Sequence, residues 1–194
     1  EPSPYDTDAW PNHSSMFGII DLASIPKDRY YLYKSIWNRD EATLHILPHW
    51  NWKGREGEVT PVFVYTSYPS AELFINGKSQ GKRTKNNNSL TERYRLMWMD
   101  VRYEPGEVKV VAYDENGNKT EEKMVCTAGE PHRIELIPDR HVLSADGKDL
   151  AYVNVRVVDK DGNLCPLDNR MIRFTVSGAG KYRASANGDP TCLE

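Results

Sequence analysis

The stretch EVKVVAYD, residues 107–114, decides the fold, because its apolar side chains recur with a period of two. In an extended chain Val108, Val110 and Ala112 lie on one face, whereas Lys109 lies on the other face and meets water. Such alternation is typical of a β-strand that is buried on one side only. The stretch therefore predicts a sheet with one face turned towards a hydrophobic core.

Further stretches between residues 43 and 128 are short, mostly alternating and bounded by turn signals. They are TLHILP (43–48), VTPVFVYTS (59–67), AELFING (71–77), KSQGKRT (78–84), ERYRLMWMDV (92–101) and TEEKMVCTA (120–128). Turn dipeptides lie between strands, namely Asn76-Gly77, Pro105-Gly106 and Asn116-Gly117. Seven short strands with these turns predict a mainly β protein that has an immunoglobulin-like β-sandwich over residues 39–128.

A second β unit is expected after AGEP, residues 128–131, which has the composition of a hinge. Its candidate strands are RIELIPD (133–139), LAYVNVRVVD (150–159), MIRFTVSG (171–178) and KYRASANG (181–188). About five strands can be counted there, fewer than the roughly seven of a complete sandwich. The sequence thus predicts a second, truncated immunoglobulin-like sandwich over residues 129–194, with open strand edges that can pair with another chain.

The segment before residue 38 has a different pattern. Residues 1–12 are rich in proline and predict an irregular loop, and Ser14 and Ser15 are candidate caps of a short turn. Pro26 then introduces a helix, KDRYYLYKSIW (27–37). Three aromatic side chains recur at helical spacing, and they are Tyr30, Tyr33 and Trp37. We expect this stripe to pack on the first sandwich or on a neighbouring molecule, with the segment partly disordered or held by intermolecular contacts.

Composition excludes several classes of function. The net charge of −3 and the scattered basic residues argue against a nucleic-acid partner, and no apolar stretch is long enough for membrane insertion. Three cysteines without CxxC spacing predict free thiols, and they are Cys126, Cys165 and Cys192. The histidines are too dispersed for a metal site, so neither a metal nor another cofactor is expected; they are His13, His45, His49, His132 and His141.

Catalytic motifs are missing as well. There is no GxSxG elbow, and GKSQGK (77–82) lacks the end of a phosphate-binding loop and lies in a predicted hairpin. Glycosidic cleavage needs two carboxyl groups that face each other across the bond. The acidic residues here lie in charged turns or at water-facing strand positions, where solvation explains them. The sequence therefore predicts no catalytic residue.

The stretch HWNW contains the most unusual residues of the chain. If it is extended, Trp50 and Trp52 share one face, whereas His49 and Asn51 share the other. The aromatics can fill an interdomain core, which is the simpler explanation. They can also form a flat surface that, with the amide and imidazole groups, binds a sugar ring. The same two explanations apply to Tyr5 and Trp10.

Long ordered portions of the sequence resemble a known family. Residues 1–37 resemble the last strand, loop and helix of the (β/α)8 barrel in bacterial glycoside hydrolase family 2 enzymes of the β-galactosidase-like branch. LPHWNWKGREGEVTPVFVYTSYPSAELFINGKSQGK (47–82) and YRLMWMDVRYEPGEVKVVAYDENG (94–117) resemble the sandwich that follows the barrel. Residues 127–163, with NGDPT (187–191), resemble the next sandwich. By this resemblance residues 1–38 are the end of the barrel, and two sandwiches follow in tandem.

The resemblance implies a parent that is a retaining exo-glycosidase with two catalytic glutamates. Both would lie upstream of this chain, so Glu1 is not the nucleophile and the chain itself is expected to be inactive. The contacts expected with sugar or barrel involve Tyr5, Trp10, His13, His49, Trp50, Asn51 and Trp52. The implied partners are the barrel and, through the parent, carbohydrate, and a dimer through the helix or a strand edge is also expected. The implied location of the parent is periplasmic or secreted. The alternative is an independent carbohydrate-binding or adhesin-like module.

Overall fold

The computed structural model describes residues 17–188, which contain one helix and nine strands. The helix α1 spans Asp28–Trp37. The strands are β1 Leu44–Leu47, β2 Val62–Thr66, β3 Ser70–Ile75, β4 Lys78–Thr84, β5 Leu96–Trp98, β6 Glu107–Tyr113, β7 Lys119–Cys126, β8 Arg133–Pro138 and β9 Val153–Val158.

Strands β1 to β7 form a β-sandwich of two antiparallel sheets. One sheet has the order β1-β2-β5 and the other has the order β4-β3-β6-β7. The structure therefore confirms the predicted sandwich. In a constant-type immunoglobulin domain the fourth strand belongs to the same sheet as the first, second and fifth strands. Here β4 pairs with β3 instead, so the chain forms a three-on-four sandwich.

The core lies between the two sheets and is built from alternate residues of each strand. In β6, Val108, Val110 and Ala112 are at most 1% exposed, as the alternation predicted. Lys109 lies on the outer face, with its ammonium 5.5 Å from the ring centroid of Phe74. Burying each valine stabilises the fold by about 1.5 kcal/mol or more, so this one strand contributes substantially to the core.

Two predicted strands are shorter in the structure. VTPVFVYTS forms a strand only over Val62–Thr66, because Pro61 has no N–H to donate to the ladder. ERYRLMWMDV forms a strand only over Leu96–Trp98. Residues 87–94 are occupied by turns, in which the backbone N–H of Arg93 donates to the carbonyl of Ser89. Local hydrogen bonds thus replace the ladder before β5.

Helix α1 packs on its own sandwich, against the outer face of β1 and β2. The ring of Tyr31 stacks on the ring of His45, with 3.9 Å between centroids, and Nε2 of His45 lies 2.7 Å from Oδ1 of Asp28. Trp37 is 71% exposed and stacks on Tyr33. The predicted packing stripe of Tyr30, Tyr33 and Trp37 is therefore corrected. Tyr31 makes the stacking contact with the sandwich, and Trp37 points away from it.

Within the described residues α1 is held by contacts with β1 and β2 of its own chain, and the expected intermolecular contact of this segment stays a prediction. Asn38 is the C-cap of the helix, and its backbone N–H donates to the carbonyl of Lys34 at 3.0 Å. The candidate caps Ser14 and Ser15 and the proline-rich residues 1–12 lie outside the described residues.

The second β unit contains fewer strands than predicted. β8 and β9 form a two-stranded antiparallel sheet, and a single bridge joins Val158 to Leu164. The described part of the chain after Leu164 contains no strand, so the predictions for MIRFTVSG and KYRASANG are wrong. Their alternation finds no neighbouring strand to pair with, and Met171 is 82% exposed. The domain boundary at residues 128–129 stays a prediction.

Candidate functional site: the His49 to Trp52 segment

The segment His49–Trp52 follows β1 after the cis peptide bond between Leu47 and Pro48, and it is irregular rather than extended. Trp50 is 0% exposed. Its Nε1 donates a hydrogen bond of 2.8 Å to the carbonyl oxygen of Glu104, and its ring meets the ring of Tyr103 edge-on at 5.1 Å. The Trp50 side chain therefore fills the core and has no surface left for a sugar, which corrects that part of the expectation.

Two hydrogen bonds tie this segment to the residues after β7. The hydroxyl of Thr127 donates to the carbonyl of Trp50, and the backbone N–H of Ala128 donates to Oδ1 of Asn51 at 2.8 Å. The Thr127 hydroxyl also accepts a hydrogen bond of 3.0 Å from the backbone N–H of Gly106. The polar groups of the segment therefore satisfy backbone groups at the end of the sandwich.

A second set of connecting hydrogen bonds, called here the Asp159 joint, begins at Gly129, the residue directly after Ala128. Asp159 is 2% exposed, and its Oδ2 accepts hydrogen bonds from the backbone N–H of Gly129 at 2.8 Å and from Nδ2 of Asn163 at 3.0 Å. Its Oδ1 accepts two further backbone N–H groups, those of Asp161 and Asn163. These hydrogen bonds, with that of Gly129 first, hold the pKa of Asp159 well below its usual range. The carboxylate fastens β9 to the chain that leaves β7.

His49 and Trp52 contact each other. Their rings are stacked, with 4.3 Å between centroids and 25° between planes. The condition for opposite faces, an extended backbone, is not met, because this segment bends and side chains alternate only in a strand. The guanidinium carbon of Arg55 also lies 5.2 Å from the centroid of the Trp52 ring. The indole of Trp52 is therefore a shared packing surface rather than a free platform.

The imidazole of His49 is held in its neutral form. Burial lowers the pKa of His49, and the charge of Asp28 opposes this shift only in part. Nδ1 of His49 accepts a hydrogen bond of 3.3 Å from the backbone N–H of Asn51, which requires that this nitrogen carry no proton. A neutral, stacked imidazole acts here as a packing group.

Trp52 also borders an open groove of about 310 Å³ on the outside of the sandwich. The groove is lined by Leu47, Pro48, Trp52, Arg55, Val59, Thr60, Pro61 and Phe63. Apart from Trp52, none of these lining residues was among the expected contact residues. A signal was available, because Phe63 lies between the inward-facing Val62 and Val64 and so places an apolar ring on the outer face. Strands that are apolar on both faces are typically covered on both faces.

The remaining expected contact residues, Tyr5, Trp10 and His13, lie outside the described residues. Within residues 17–188 no cluster of three potential metal ligands occurs. No helix in this part of the chain is long and apolar enough to span a bilayer. Cys126 and Cys165 are free thiols, and Cys192 lies beyond the described residues.

Two family models match the chain. Residues 57–121 match a domain of unknown function (DUF4982), and residues 134–194 match the glycoside hydrolase family 2 C-terminal domain 5. The first match lies within the sandwich, and the second covers the β8–β9 sheet from residue 134 onward and all that follows.

Two curated relatives also match the chain, and both are glycosidases. A β-galactosidase of Bacteroides ovatus is 47% identical over 194 residues, which are all of this chain and 22% of the relative. A β-glucuronidase of Formosa agariphila is 31% identical over 172 residues, which are 88% of this chain and 17% of the relative. The chain thus spans about a fifth of the length of these relatives.

Solved structures agree with the sequence matches. A β-glycosidase from Bacteroides vulgatus superposes with a TM-score of 0.71 at 34% identity, over 81% of this chain and 19% of that one. A glycosyl hydrolase family 2 member from Bacteroides cellulosilyticus gives a TM-score of 0.65 at 31% identity, over 76% and 22% respectively. The fold and the matches define a β-sandwich region that is similar to part of much longer glycoside hydrolases. The chain belongs to glycoside hydrolase family 2, and it corresponds to the C-terminal region of the members.

Proposed function

We propose that this chain is the non-catalytic accessory region of a family 2 glycosidase, which supports the catalytic barrel and shapes access of substrate to it. The observation that carries the proposal is the inward packing of the His49–Trp52 segment. Its most prominent ring, Trp50, is in the core, and the amide of Asn51 serves the backbone of Ala128. Residues whose types suggest a sugar site thus connect the segment after β1 to the residues after β7.

The placement of the acidic groups supports an accessory role. Among the described residues, Asp159 is the one acidic residue that is buried. Four hydrogen-bond donors of the chain already bind its two carboxylate oxygens. A retaining glycosidase needs one carboxylate free to attack and a second that gives and takes a proton. Asp159 has the environment of neither, because its low pKa and filled hydrogen bonds suit a permanent anion.

The substrate of the parent is proposed from the relatives. The β-galactosidase of Bacteroides ovatus matches the whole chain at higher identity than the β-glucuronidase of Formosa agariphila. We therefore propose a terminal β-galactoside as the parent's substrate, with a β-glucuronide as the competing choice. We further propose, from the family resemblance, that the parent is periplasmic or secreted, which fractionation of cells expressing the parent would check.

The test compares the purified chain with its full-length parent on nitrophenyl β-galactoside and nitrophenyl β-glucuronide. We expect turnover by the parent and no turnover by the chain above a mock preparation. Turnover by the chain alone would overturn the proposal. A parent shortened after residue 38 provides the second measurement, because loss of the supporting region should lower the melting temperature of what remains.

The competing function is an independent carbohydrate-binding module, and Trp52 is the residue that could serve it because its ring is only half-buried beside the groove. Titration of the chain with methyl β-galactoside, followed by tryptophan fluorescence, separates the two. An accessory support gives no saturable change. A saturable change that Trp52→Ala removes and Trp37→Ala keeps would favour the module.

A further inference from the structure

The outer face of the three-stranded sheet carries two rows of paired side chains, and only one row is covered. In the first row His45 pairs with Tyr65, and helix α1 lies over both strands. Tyr65 is accordingly only 8% exposed. In the second row Leu47 pairs with Phe63, and Phe63 pairs with Met97. This second row, Leu47–Phe63–Met97, is half-buried, and its Leu47 and Phe63 form part of the groove.

Two buried hydrogen-bond donors flank the second row without acceptors among the described residues. They are Nε1 of Trp52, which borders the groove, and Nε of Arg95. The guanidinium carbon of Arg95 lies 5.5 Å from the ring centroid of Phe63, so this donor belongs to the same face. Buried donors in native proteins nearly always have an acceptor. Two of them beside one apolar row indicate that a surface with oxygen acceptors is missing there.

The chemistry of the lining indicates what kind of surface this is. Apart from Arg55 and Thr60, the groove is lined by aliphatic, proline and aromatic side chains. A sugar site needs several converging polar groups that match the hydroxyls of the ring. An apolar row with a few unpaired donors at its margin has instead the composition of a protein–protein contact.

We propose that the second row is the docking face for the part of the parent polypeptide that precedes helix α1. That part would bring apolar side chains onto Phe63 and backbone or carboxylate oxygens to Trp52 and Arg95. Helix α1 already lies on the same sheet face, so the chain arrives at the sandwich from this side. The proposal rests on the proposed supporting function and names the surface that provides the support.

The relatives and the adjoining residues support this occupant. The chain covers only 22% of the Bacteroides ovatus relative, so most of such a polypeptide lies outside it. Just before α1, the side chains of Ile20 and Leu22 are 46% and 52% exposed, so the segment that leads into the helix carries exposed apolar side chains of its own.

The experiment is photo-crosslinking in the full-length parent. The photoreactive residue p-benzoylphenylalanine replaces Val59, which lines the groove and is 47% exposed, or Met124, which is 53% exposed on β7 of the opposite sheet. After irradiation and digestion, mass spectrometry identifies the joined peptides. We expect position 59 to crosslink with residues N-terminal to Asp28 of the same polypeptide, and the control position 124 not to. Phe63→Glu should abolish the crosslink, whereas Phe63→Leu should keep it.

Other outcomes would overturn the docking face. A crosslink that joins two polypeptides would assign the row to a second copy of the protein. No crosslink from position 59, with the parent folded, would leave the row unoccupied. Saturable binding of methyl β-galactoside that Phe63→Glu removes would assign the groove to sugar. If the chain alone turns over substrate, the supporting function fails whatever the crosslink shows. If the crosslink alone fails, only the choice of face is wrong.

Discussion

The indole N–H of Trp50 donates to the carbonyl oxygen of Glu104 at 2.8 Å, across a sequence separation of 54 residues. This bond joins the segment after β1 to the segment before β6, and Tyr103 packs against the same ring. A large ring with no exposed surface and a satisfied N–H is typical of a core residue. The packing of the sandwich should therefore depend on it.

Replacement of Trp50 by alanine should lower the free energy of unfolding by about 3–5 kcal/mol, since it leaves a cavity and an unpaired carbonyl. Urea unfolding of the purified chain, followed by circular dichroism, measures the change. Trp37→Ala is the matched control, because Trp37 is 71% exposed and its replacement should change stability by no more than about 0.5 kcal/mol. Equal effects of the two substitutions would contradict the core role of Trp50.

The second prediction concerns the single hydrogen bond between the backbone N–H of Ala128 and Oδ1 of Asn51. Asn51→Ala removes the acceptor of the backbone N–H of Ala128 and should cost about 1–3 kcal/mol of unfolding free energy. Asn51→Asp keeps an oxygen acceptor at the same position and should recover most of this loss. The exposed Asn87 is the control, since Asn87→Ala should be close to neutral. A sugar-facing Asn51 would give the opposite result, with little change of stability in either variant.

Protonation of His49 should destabilise the chain. Burial lowers the pKa of His49 in the folded state below the value of about 6.5 expected in the unfolded chain. As the pH falls through about 6.5, the unfolded chain therefore binds the proton first, and the folded state loses stability until its own pKa is passed. Thermal unfolding from neutral to mildly acidic pH measures this slope.

His49→Phe keeps an aromatic ring beside Trp52 but cannot titrate, so its melting temperature should fall less steeply with pH than that of the unchanged chain. Trp37→Phe is the control, because it replaces an exposed aromatic residue that does not titrate, and it should leave the slope unchanged. If His49→Phe shows the same slope as the unchanged chain, the partly buried neutral imidazole is not the cause of the pH dependence.

The sandwich was predictable because each of its strands can be recognised from the residue pattern of its own short stretch of sequence. The valines of β6 alternate strictly, and Asn76-Gly77 supplies the turn between β3 and β4, where Asn76 has a φ of 48° and Gly77 a φ of 79°. Periodicity and turn chemistry are local properties, so they can be found in one sequence without its partners. The helix over residues 28–37 was predictable for the same reason.

The candidate site was less predictable because its geometry depends on contacts distant in sequence. A bend after Pro48 places His49 on Trp52 and sends Trp50 inward, and no local pattern specifies this. The prediction of strands in residues 171–188 failed for a related reason. Alternation shows that a stretch can pair, whereas pairing itself needs a neighbour, and in the described residues β8 and β9 pair only with each other and with a bridge at Leu164.

The buried carboxylate of Asp159 gives the last prediction. The backbone N–H of Gly129 and the amide of Asn163 hold the pKa of Asp159 below the value of about 3.9 expected in the unfolded chain. The carboxylate therefore contributes stability above about pH 4, and this contribution is lost as the pH falls further. Asp159→Asn should weaken the joint already at neutral pH and flatten the acid limb of the stability curve.

Hydrogen exchange of the Gly129 and Asn163 amides reports the joint directly, because both donate to this carboxylate. Both should exchange faster in Asp159→Asn than in the unchanged chain, whereas the amides of β6 in the sandwich core should not. Asp161→Asn is the matched control, since Asp161 is exposed and meets Asp159 only through its backbone N–H. Faster exchange throughout the sandwich would show that Asp159 supports the whole fold rather than the link between β7 and β9.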